Sequence, residues 1–348
     1  MSSAPIGRRS RGWGWTLSCE TSLSSLLAGI LFAGSVLNCH AVSGARGAAP
    51  VSLAPAPIAE APLVDDSTMG AGFARALLPV TIQGHTLPFA LDLGTSINEL
   101  SETATAQFHL VVTEAVAPGD KGPHPQLDSL TIGTAVQRHV HVAQTNASDY
   151  AEFGLARGLL GTPALSRYDL VFDGPARRVR LYAQPATHTA ATPAPGWLPP
   201  GITRADCIPM RGDPDGAHRV FFDLQADGHS IRGMFDSGYG WTYTNLAGAR
   251  LLGLTQSNPR VHPLASEVYA GRFTATWDAT DMMLTVGAQH FPAPPILVFD
   301  ALPRSGRPDD PVLVLGLDAI RDRILVVSYS TGEVCLGGSS APRPTSEP

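Results

Sequence analysis

Short apolar runs broken by glycine and proline fill the chain from about residue 72 onwards. Residues 76–82 and 85–91 are two half-apolar runs joined by a Gln-Gly dipeptide, which is a hairpin signal. Helical periodicity is confined to short stretches, one that Ser101 is placed to cap and one over residues 245–252. The pattern predicts an all-β fold with short helices.

The hairpin pattern is written twice, the second copy 144 positions after the first. Residues 84–94 align without a gap with residues 228–238, and each copy ends in a hydrophobic residue followed by Asp-x-Gly. Two further pairs of runs recur in the same order, 130–133 with 284–287 and 159–165 with 314–320. Because the chain holds only two long units, we interpret the repeat as one duplicated β module and not as a solenoid. A chain of 348 residues is long enough for two such lobes.

The Asp-x-Gly repeats place two carboxylates, Asp92 and Asp236, at the tips of predicted strands. If the two face each other, both cannot ionise at low cost, so they are expected to share one proton. Such a pair supplies a general base for a water molecule and a general acid for a substrate carbonyl. The glycines that follow, Gly94 and Gly238, allow the opposing loops to approach closely.

These motifs resemble those of the aspartic peptidases, both the two-lobed pepsin-like enzymes and the retropepsin-like domains of exported bacterial proteins. The resemblance rests on the Asp-Leu-Gly-Thr motif at Asp92 and the Asp-Ser-Gly motif at Asp236, and it covers most of residues 72–338. Each motif is followed downstream by two apolar residues and a glycine, Gly161 or Gly316. The resemblance implies two tandem pepsin- or retropepsin-like β-barrel lobes with the active-site cleft between them. It also implies an aspartic endopeptidase that needs no metal or organic cofactor.

The residues that the family pattern assigns to support of the dyad are Gly94, Thr95, Ser237 and Gly238, with Gly161 and Gly316 on buried strands behind the loops. The sequence departs from this pattern at two positions. Leu93 lacks the hydroxyl that braces the two loops in the family, and Tyr239 stands where a small hydroxyl residue is expected. The alternative function is therefore that of a catalytically impaired, pepsin-like pseudoenzyme that binds extended peptides or cell-envelope material.

The predicted segments are a signal peptide (1–43), an Ala/Pro-rich tether (44–71), an N-terminal lobe (72–186), a Pro-rich linker (187–201), a C-terminal lobe (202–338) and a disordered tail (339–348). The signal is indicated by arginines ahead of an apolar run over residues 26–37, which is too short to span a bilayer comfortably. We expect an exported protein, periplasmic or secreted, with no membrane span once the signal is removed. A lipid anchor at Cys39 is not favoured, because the residues before it match a lipobox poorly.

Removal of the signal would leave two of the four cysteines, Cys207 and Cys335. Both lie in the second module, one near its first strand and one in its last. Two cysteines in an exported protein suggest a disulfide, and we hypothesise a Cys207–Cys335 bond. Two buried thiols are the alternative.

The net charge of −6 offers no basic face for nucleic acid. The expected partner is a peptide or protein substrate, and we expect a monomer whose two lobes are related by a pseudo-two-fold axis. The run from Asp213 to Gly216 begins like a calcium loop, but no glutamate follows at the required spacing, so a turn is predicted. His139 and His141 have no evident third metal ligand, and no metal site is predicted.

Overall fold

The structure, a computed structural model, describes residues 55–65, 74–115, 124–145, 154–185, 198–270, 273–299 and 309–338. All of these residues belong to one body within Val51–Pro348. The predicted signal peptide with Cys39, most of the predicted linker and the whole predicted tail lie outside the described residues. In the part of the chain that is described, no helix is both long and apolar enough to cross a membrane.

Strands dominate both lobes. Those of the first lobe are β1 (Ala59–Asp65), β2 (Ala74–Ile82), β3 (His85–Leu91), β4 (Glu99–Ser101), β5 (Thr113–Ala115), β6 (His124–Ile132), β7 (Ala135–His141), β8 (Ala143–Thr145), β9 (Gly158–Leu160), β10 (Tyr168–Asp173) and β11 (Arg178–Ala183). Its helices are α1 (Glu102–Gln107) and α2 (Thr162–Leu165).

Those of the second lobe are β12 (Cys207–Pro209), β13 (Val220–Ala226), β14 (His229–Phe235), β15 (Tyr243–Asn245), β16 (Val261–Ala270), β17 (Phe273–Ala279), β18 (Met283–Val286), β19 (Gln289–Pro292), β20 (Ile296–Phe299), β21 (Val312–Leu315), β22 (Arg323–Ser328) and β23 (Glu333–Gly338). Its helices are α3 (Leu246–Leu251) and the 3₁₀ turns η1 (Arg204–Asp206) and η2 (Leu317–Ile320).

The two copies of the repeat form the same local structures. The predicted hairpins are β2–β3 and β13–β14, paired in antiparallel register. Ser101 caps α1 by accepting a hydrogen bond from the Ala104 N–H at 3.1 Å. Asn245 caps α3 in the same way, accepting from the Gly248 N–H at 2.8 Å. The repeat in the sequence is therefore also a repeat of structure.

The sheet connections of the two lobes correspond as well. In the first lobe β3 pairs parallel with β9, β9 pairs antiparallel with β4, and β4 pairs parallel with β8. In the second lobe β14, β21, β15 and β20 make the same three pairings in the same order. The predicted all-β fold of two similar lobes with short helices is thus confirmed.

A shared sheet joins the lobes, with the strand order β12-β23-β22-β10-β11-β1. At its centre β10 and β22 are antiparallel, with Val171 opposite Val326 and Leu170 opposite Val327. Val171 and Val326 hold equivalent places in the two repeats, so the pairing is symmetric about them. Because backbone hydrogen bonds cross from one lobe to the other here, the shared sheet holds the lobes in a fixed relation.

The tether predicted over 44–71 needs correction, because Ala59–Asp65 form strand β1. This strand pairs with β11 and then with β2, so it belongs to the shared sheet and to the first lobe. Ala61 and Leu63 are buried in the core, which gives the strand an inward-facing side. Pro57 just before the strand and Pro62 within it hide this alternation in the sequence, and the pairing with β11 and β2 stabilises the strand.

The two outer pairs of the shared sheet are closed by different chemistry. Cys207 lies directly opposite Cys335 in the β12–β23 register, and a disulfide joins them. On the other side Glu60 lies opposite Arg180 in the β1–β11 register. The Glu60 carboxylate accepts hydrogen bonds from Arg180 Nε at 2.9 Å and from an Arg178 guanidinium nitrogen at 3.0 Å.

Loss of the disulfide is expected to lower the free energy of unfolding by about 2–4 kcal/mol, because the bond closes a long loop in the unfolded chain. The bonded cysteines are 128 residues apart. Urea unfolding of the oxidised protein, compared with the variant carrying Cys207→Ser and Cys335→Ser, measures the difference. The same variant with reductant serves as control, since reductant should change the wild type alone. Equal stabilities, or two free thiols in unreduced, denatured protein that lacks residues 1–43, would contradict the bond.

The run from Asp213 to Gly216 forms a turn that is held by a buried arginine. The Asp213 carboxylate accepts hydrogen bonds from Arg219 Nε at 2.9 Å and from a second nitrogen of the same guanidinium at 2.8 Å. Asp215 also pairs with Arg219. Both carboxylates therefore neutralise a buried guanidinium, which accounts for the acidic residues of this motif.

Candidate active site

Asp92 and Asp236 each follow directly after the inner strand of their lobe, β3 and β14. The Asp92 N–H donates to the Leu160 carbonyl at 2.9 Å, and the Asp236 N–H donates to the Leu315 carbonyl at 3.0 Å. Both carbonyls belong to fully buried strands, β9 and β21. The backbone of each aspartate is therefore anchored before its side chain enters the site.

The two carboxyls lie between the two Asp-x-Gly loops. Oδ1 of Asp92 accepts from the Gly94 N–H at 2.8 Å, and Oδ1 of Asp236 accepts from the Gly238 N–H at 2.9 Å. A Cβ atom added to Gly94 would lie 2.3 Å from Asp236 Cγ, and one added to Gly238 would lie 2.4 Å from Asp92 Cγ. Each carboxyl thus packs against the glycine of the opposing loop, and only 5% of Asp92 and 4% of Asp236 is exposed.

The electrostatics of the pair favour a shared proton. Burial raises the pKa of Asp236 well above its ordinary value, and the negative charge of Asp92 and a hydrogen bond between the two side chains add to the rise. The Gly238 N–H and the Tyr243 hydroxyl act in the opposite direction. Since two adjacent buried carboxylates repel each other, the singly protonated pair is the favoured form.

Ser237 braces the first lobe's loop from the second. Its Oγ accepts from the Leu93 N–H at 3.1 Å and donates to the Leu91 carbonyl at 3.0 Å. Leu93, the equivalent residue of the first lobe, is fully buried in the hydrophobic core. The hydroxyl brace therefore runs in one direction only, as the sequence departure at Leu93 predicts.

Thr95 is fully buried next to Asp92's loop. Its carbonyl accepts hydrogen bonds from the N–H and the hydroxyl of Thr162, both at 3.0 Å. Its methyl group faces Gly161, where an added Cβ would lie 2.8 Å away. These contacts tie the loop to the start of α2. The role of the Thr95 hydroxyl at the dyad stays a prediction.

Gly161 and Gly316 lie behind the loops, at the ends of β9 and β21. The Gly161 N–H donates to Asn98 Oδ1 at 3.1 Å, and the Gly316 N–H donates to Thr242 Oγ1 at 3.3 Å. Asn98 and Thr242 hold equivalent places in the two repeats, six residues after the aspartate. The sequence motifs do not single them out, although a polar residue at the same offset in both copies is the signal that would have found them.

Tyr243 is a further residue at the dyad that the motifs do not indicate. Its hydroxyl donates to Asp236 Oδ2 at 3.0 Å. Its ring is edge-on to those of Tyr239 and Phe299, with centroids 5.3 Å and 5.4 Å away. The residues expected at the dyad from the sequence are thus brought together, with Tyr243 added.

In the described ranges, no group of three or more histidine, cysteine, aspartate or glutamate side chains is placed to hold a metal ion. Asp92 and Asp236 are two acid–base groups, one from each lobe, that lie side by side where the lobes contact each other.

No protein-family model matches the chain, and no curated protein matches its sequence. Among solved structures, the chain is similar to an aspartic proteinase from Irpex lacteus. The identity is 12% and the TM-score is 0.49, and the match covers 83% of this chain and 99% of that chain.

Proposed function

We propose that this protein is an aspartic endopeptidase that hydrolyses peptide bonds with a water molecule activated by Asp92 and Asp236. One observation carries the proposal: two buried carboxyls, one from each repeat, lie together, each against the glycine of the opposing Asp-x-Gly loop. A peptide is the proposed substrate because of the resemblance of these motifs to the aspartic peptidases.

The reaction follows from the shared proton. The ionised carboxylate takes a proton from the water as its oxygen attacks the peptide carbonyl, and the protonated carboxyl gives its proton to the carbonyl oxygen. In the collapse of the tetrahedral intermediate the leaving nitrogen takes a proton from the pair, the C–N bond breaks, and one hydroxyl of the intermediate returns its proton to the pair, which is then singly protonated again. The Ser237 brace and the anchored strands support this role, because they fix both carboxyls before a substrate binds.

Export to an oxidising compartment is part of the proposal. A Cys207–Cys335 disulfide in the shared sheet supports it, since such bonds persist in secreted and periplasmic proteins and are rare in the cytosol.

A peptide-binding pseudoenzyme is the second candidate. The observation that favours it is the one-directional brace, because Leu93 offers no hydroxyl to the second lobe. The close contact of each carboxyl with the glycine of the opposing loop favours the enzyme, because it brings both carboxyls to one place.

Cleavage of a mixed peptide library from pH 3 to 7, read by mass spectrometry, tests the proposal. The pKa of Asp236 is raised by burial and by Asp92, so the pair keeps its proton above the ordinary aspartate range. We therefore expect hydrolysis in acid that declines as pH rises through that raised pKa, and inhibition by a statine-type compound. Protein that is folded and includes β1, yet cleaves nothing at any pH, would favour the binding module instead.

A further inference from the structure

The two aspartates have equivalent glycine contacts, but the residues seven positions after them differ. Seven residues after Asp236 the chain has Tyr243, whereas seven residues after Asp92 it has Glu99. The Tyr243 hydroxyl donates to Asp236 Oδ2 at 3.0 Å, and the Gly238 N–H donates to the other oxygen, Oδ1, at 2.9 Å. Both oxygens of Asp236 therefore accept a hydrogen bond from the second lobe itself.

Tyr243 is held firmly in this position. It is the first residue of β15, where its backbone pairs with Val314 of β21 and Leu297 of β20. Its side chain is buried, and its ring meets the rings of Tyr239 and Phe299 edge-on. Burial, followed by the charge of Asp236, raises the pKa of the Tyr243 hydroxyl well above its ordinary value. The phenol therefore stays neutral and can only donate to a carboxylate.

We propose that Tyr243 is a positioning residue of the dyad, which fixes the orientation of the Asp236 carboxyl and stabilises its ionised form. This inference rests on the proposed function for its catalytic meaning, while the contact itself is independent of any activity.

The ionisable groups that act on Tyr243 are Asp236, Tyr239 and Asp92. The strands packed against it, β20 and β21, contribute Phe299 and Val314 to the same apolar cluster, and neither side chain titrates. Removal of the Tyr243 hydroxyl should therefore act directly on the titration of the dyad, because the carboxyl groups that act on Tyr243 are the two aspartates of the dyad themselves.

Tyr243→Phe keeps the ring and removes only the donor. A hydrogen bond to a carboxylate lowers its pKa, so its loss should raise the titration of the dyad by about one pH unit. In the active enzyme the pH optimum of hydrolysis should rise together with the titration of the dyad. The kcat should fall by about tenfold with little change in KM. Fluorotyrosine at position 243 is a stronger donor and should move the titration in the opposite direction, to lower pH.

The experiment is a carbon NMR titration of the full protein labelled at its aspartate carboxyls, with the signals of the pair assigned by Asp92→Asn and Asp236→Asn. Tyr168→Phe is the matched control, since it also removes the hydroxyl of a buried tyrosine. That hydroxyl accepts a hydrogen bond from Gln137 at 2.9 Å and does not contact the dyad aspartates in any bond described above. We expect an upward shift in Tyr243→Phe, a downward shift with fluorotyrosine and no shift in Tyr168→Phe.

An unchanged dyad titration in Tyr243→Phe, or the same shift in Tyr168→Phe, would overturn the role of Tyr243. If Tyr243→Phe does not fold, the fluorotyrosine protein decides, because it keeps the hydroxyl and changes only its strength as a donor. Absence of hydrolysis by the wild type would remove the proposed function but leave the titration result standing, so the two failures are distinguishable.

Discussion

Replacement of Asp236 by asparagine is expected to lower kcat/KM for peptide hydrolysis by about 10³-fold or more, because the amide can neither hold nor release the shared proton. The same loss is expected for Asp92→Asn, since each carboxyl acts only together with the other. Initial rates on a peptide cleaved by the wild type, measured across its pH range, give the ratio.

The matched control is Asp223→Asn, an exposed aspartate on β13 that pairs with Arg211 at the surface. It should retain the wild-type rate. Folding of Asp236→Asn is checked by urea unfolding, which should show a gain in stability at pH 7 and little change at pH 4. The sign follows from the raised pKa of Asp236: ionisation of this buried group opposes folding as pH rises, and asparagine removes that opposition. Hydrolysis that persists in Asp236→Asn would show that the dyad is not the catalyst.

Gly238→Ala should abolish most of the activity, by about 100-fold or more, although no chemical group is lost. The added Cβ would lie 2.4 Å from Cγ and 2.5 Å from Oδ2 of Asp92, which is closer than real Cβ contacts allow. Either the carboxyl or the loop must shift, and displacements of about 1 Å in a catalytic site cost rates of this order. The ratio of kcat/KM values for variant and wild type measures the effect.

Gly212→Ala is the control for Gly238→Ala, because an added Cβ at Gly212 meets nothing within 4 Å. It should leave both rate and stability near wild type. Gly94→Ala should repeat the result of Gly238→Ala from the other lobe, where the added Cβ meets the Asp236 carboxyl. Full activity in either loop variant would mean that the two loops are further apart than the structure places them.

Much of the fold and of the dyad could be predicted because their signals are local and occur twice. The hairpin turns and the caps at Ser101 and Asn245 are each encoded within a few residues. Duplication then identifies equivalent positions, so Asp92 and Asp236 could be expected to meet before any contact was known. Their catalytic roles stay a prediction that the two loop variants and the asparagine variants test.

The rest depends on contacts between distant segments. Strand β1 carries a weak alternation that becomes a strand only when β11 and β2 pair with it. In the sequence Tyr243 looks like an ordinary strand residue, since nothing there indicates that its hydroxyl contacts Asp236. Asn98 and Thr242 accept hydrogen bonds from Gly161 and Gly316 only because the ends of β9 and β21 come within reach. These partners lie 63 and 74 residues away along the chain.

The side-chain links at the two ends of the shared sheet are sensitive to different solution conditions. Salt screens the Glu60–Arg180 ion pair on the β1 side, where both side chains are partly exposed, but leaves a covalent bond untouched. A reductant opens Cys207–Cys335 on the β12 side and does nothing to an ion pair. A saline, oxidising medium therefore weakens the ion pair and leaves the disulfide intact, while a dilute, reducing medium does the reverse. In both media the backbone pairing of β1 with β11 and of β12 with β23 remains.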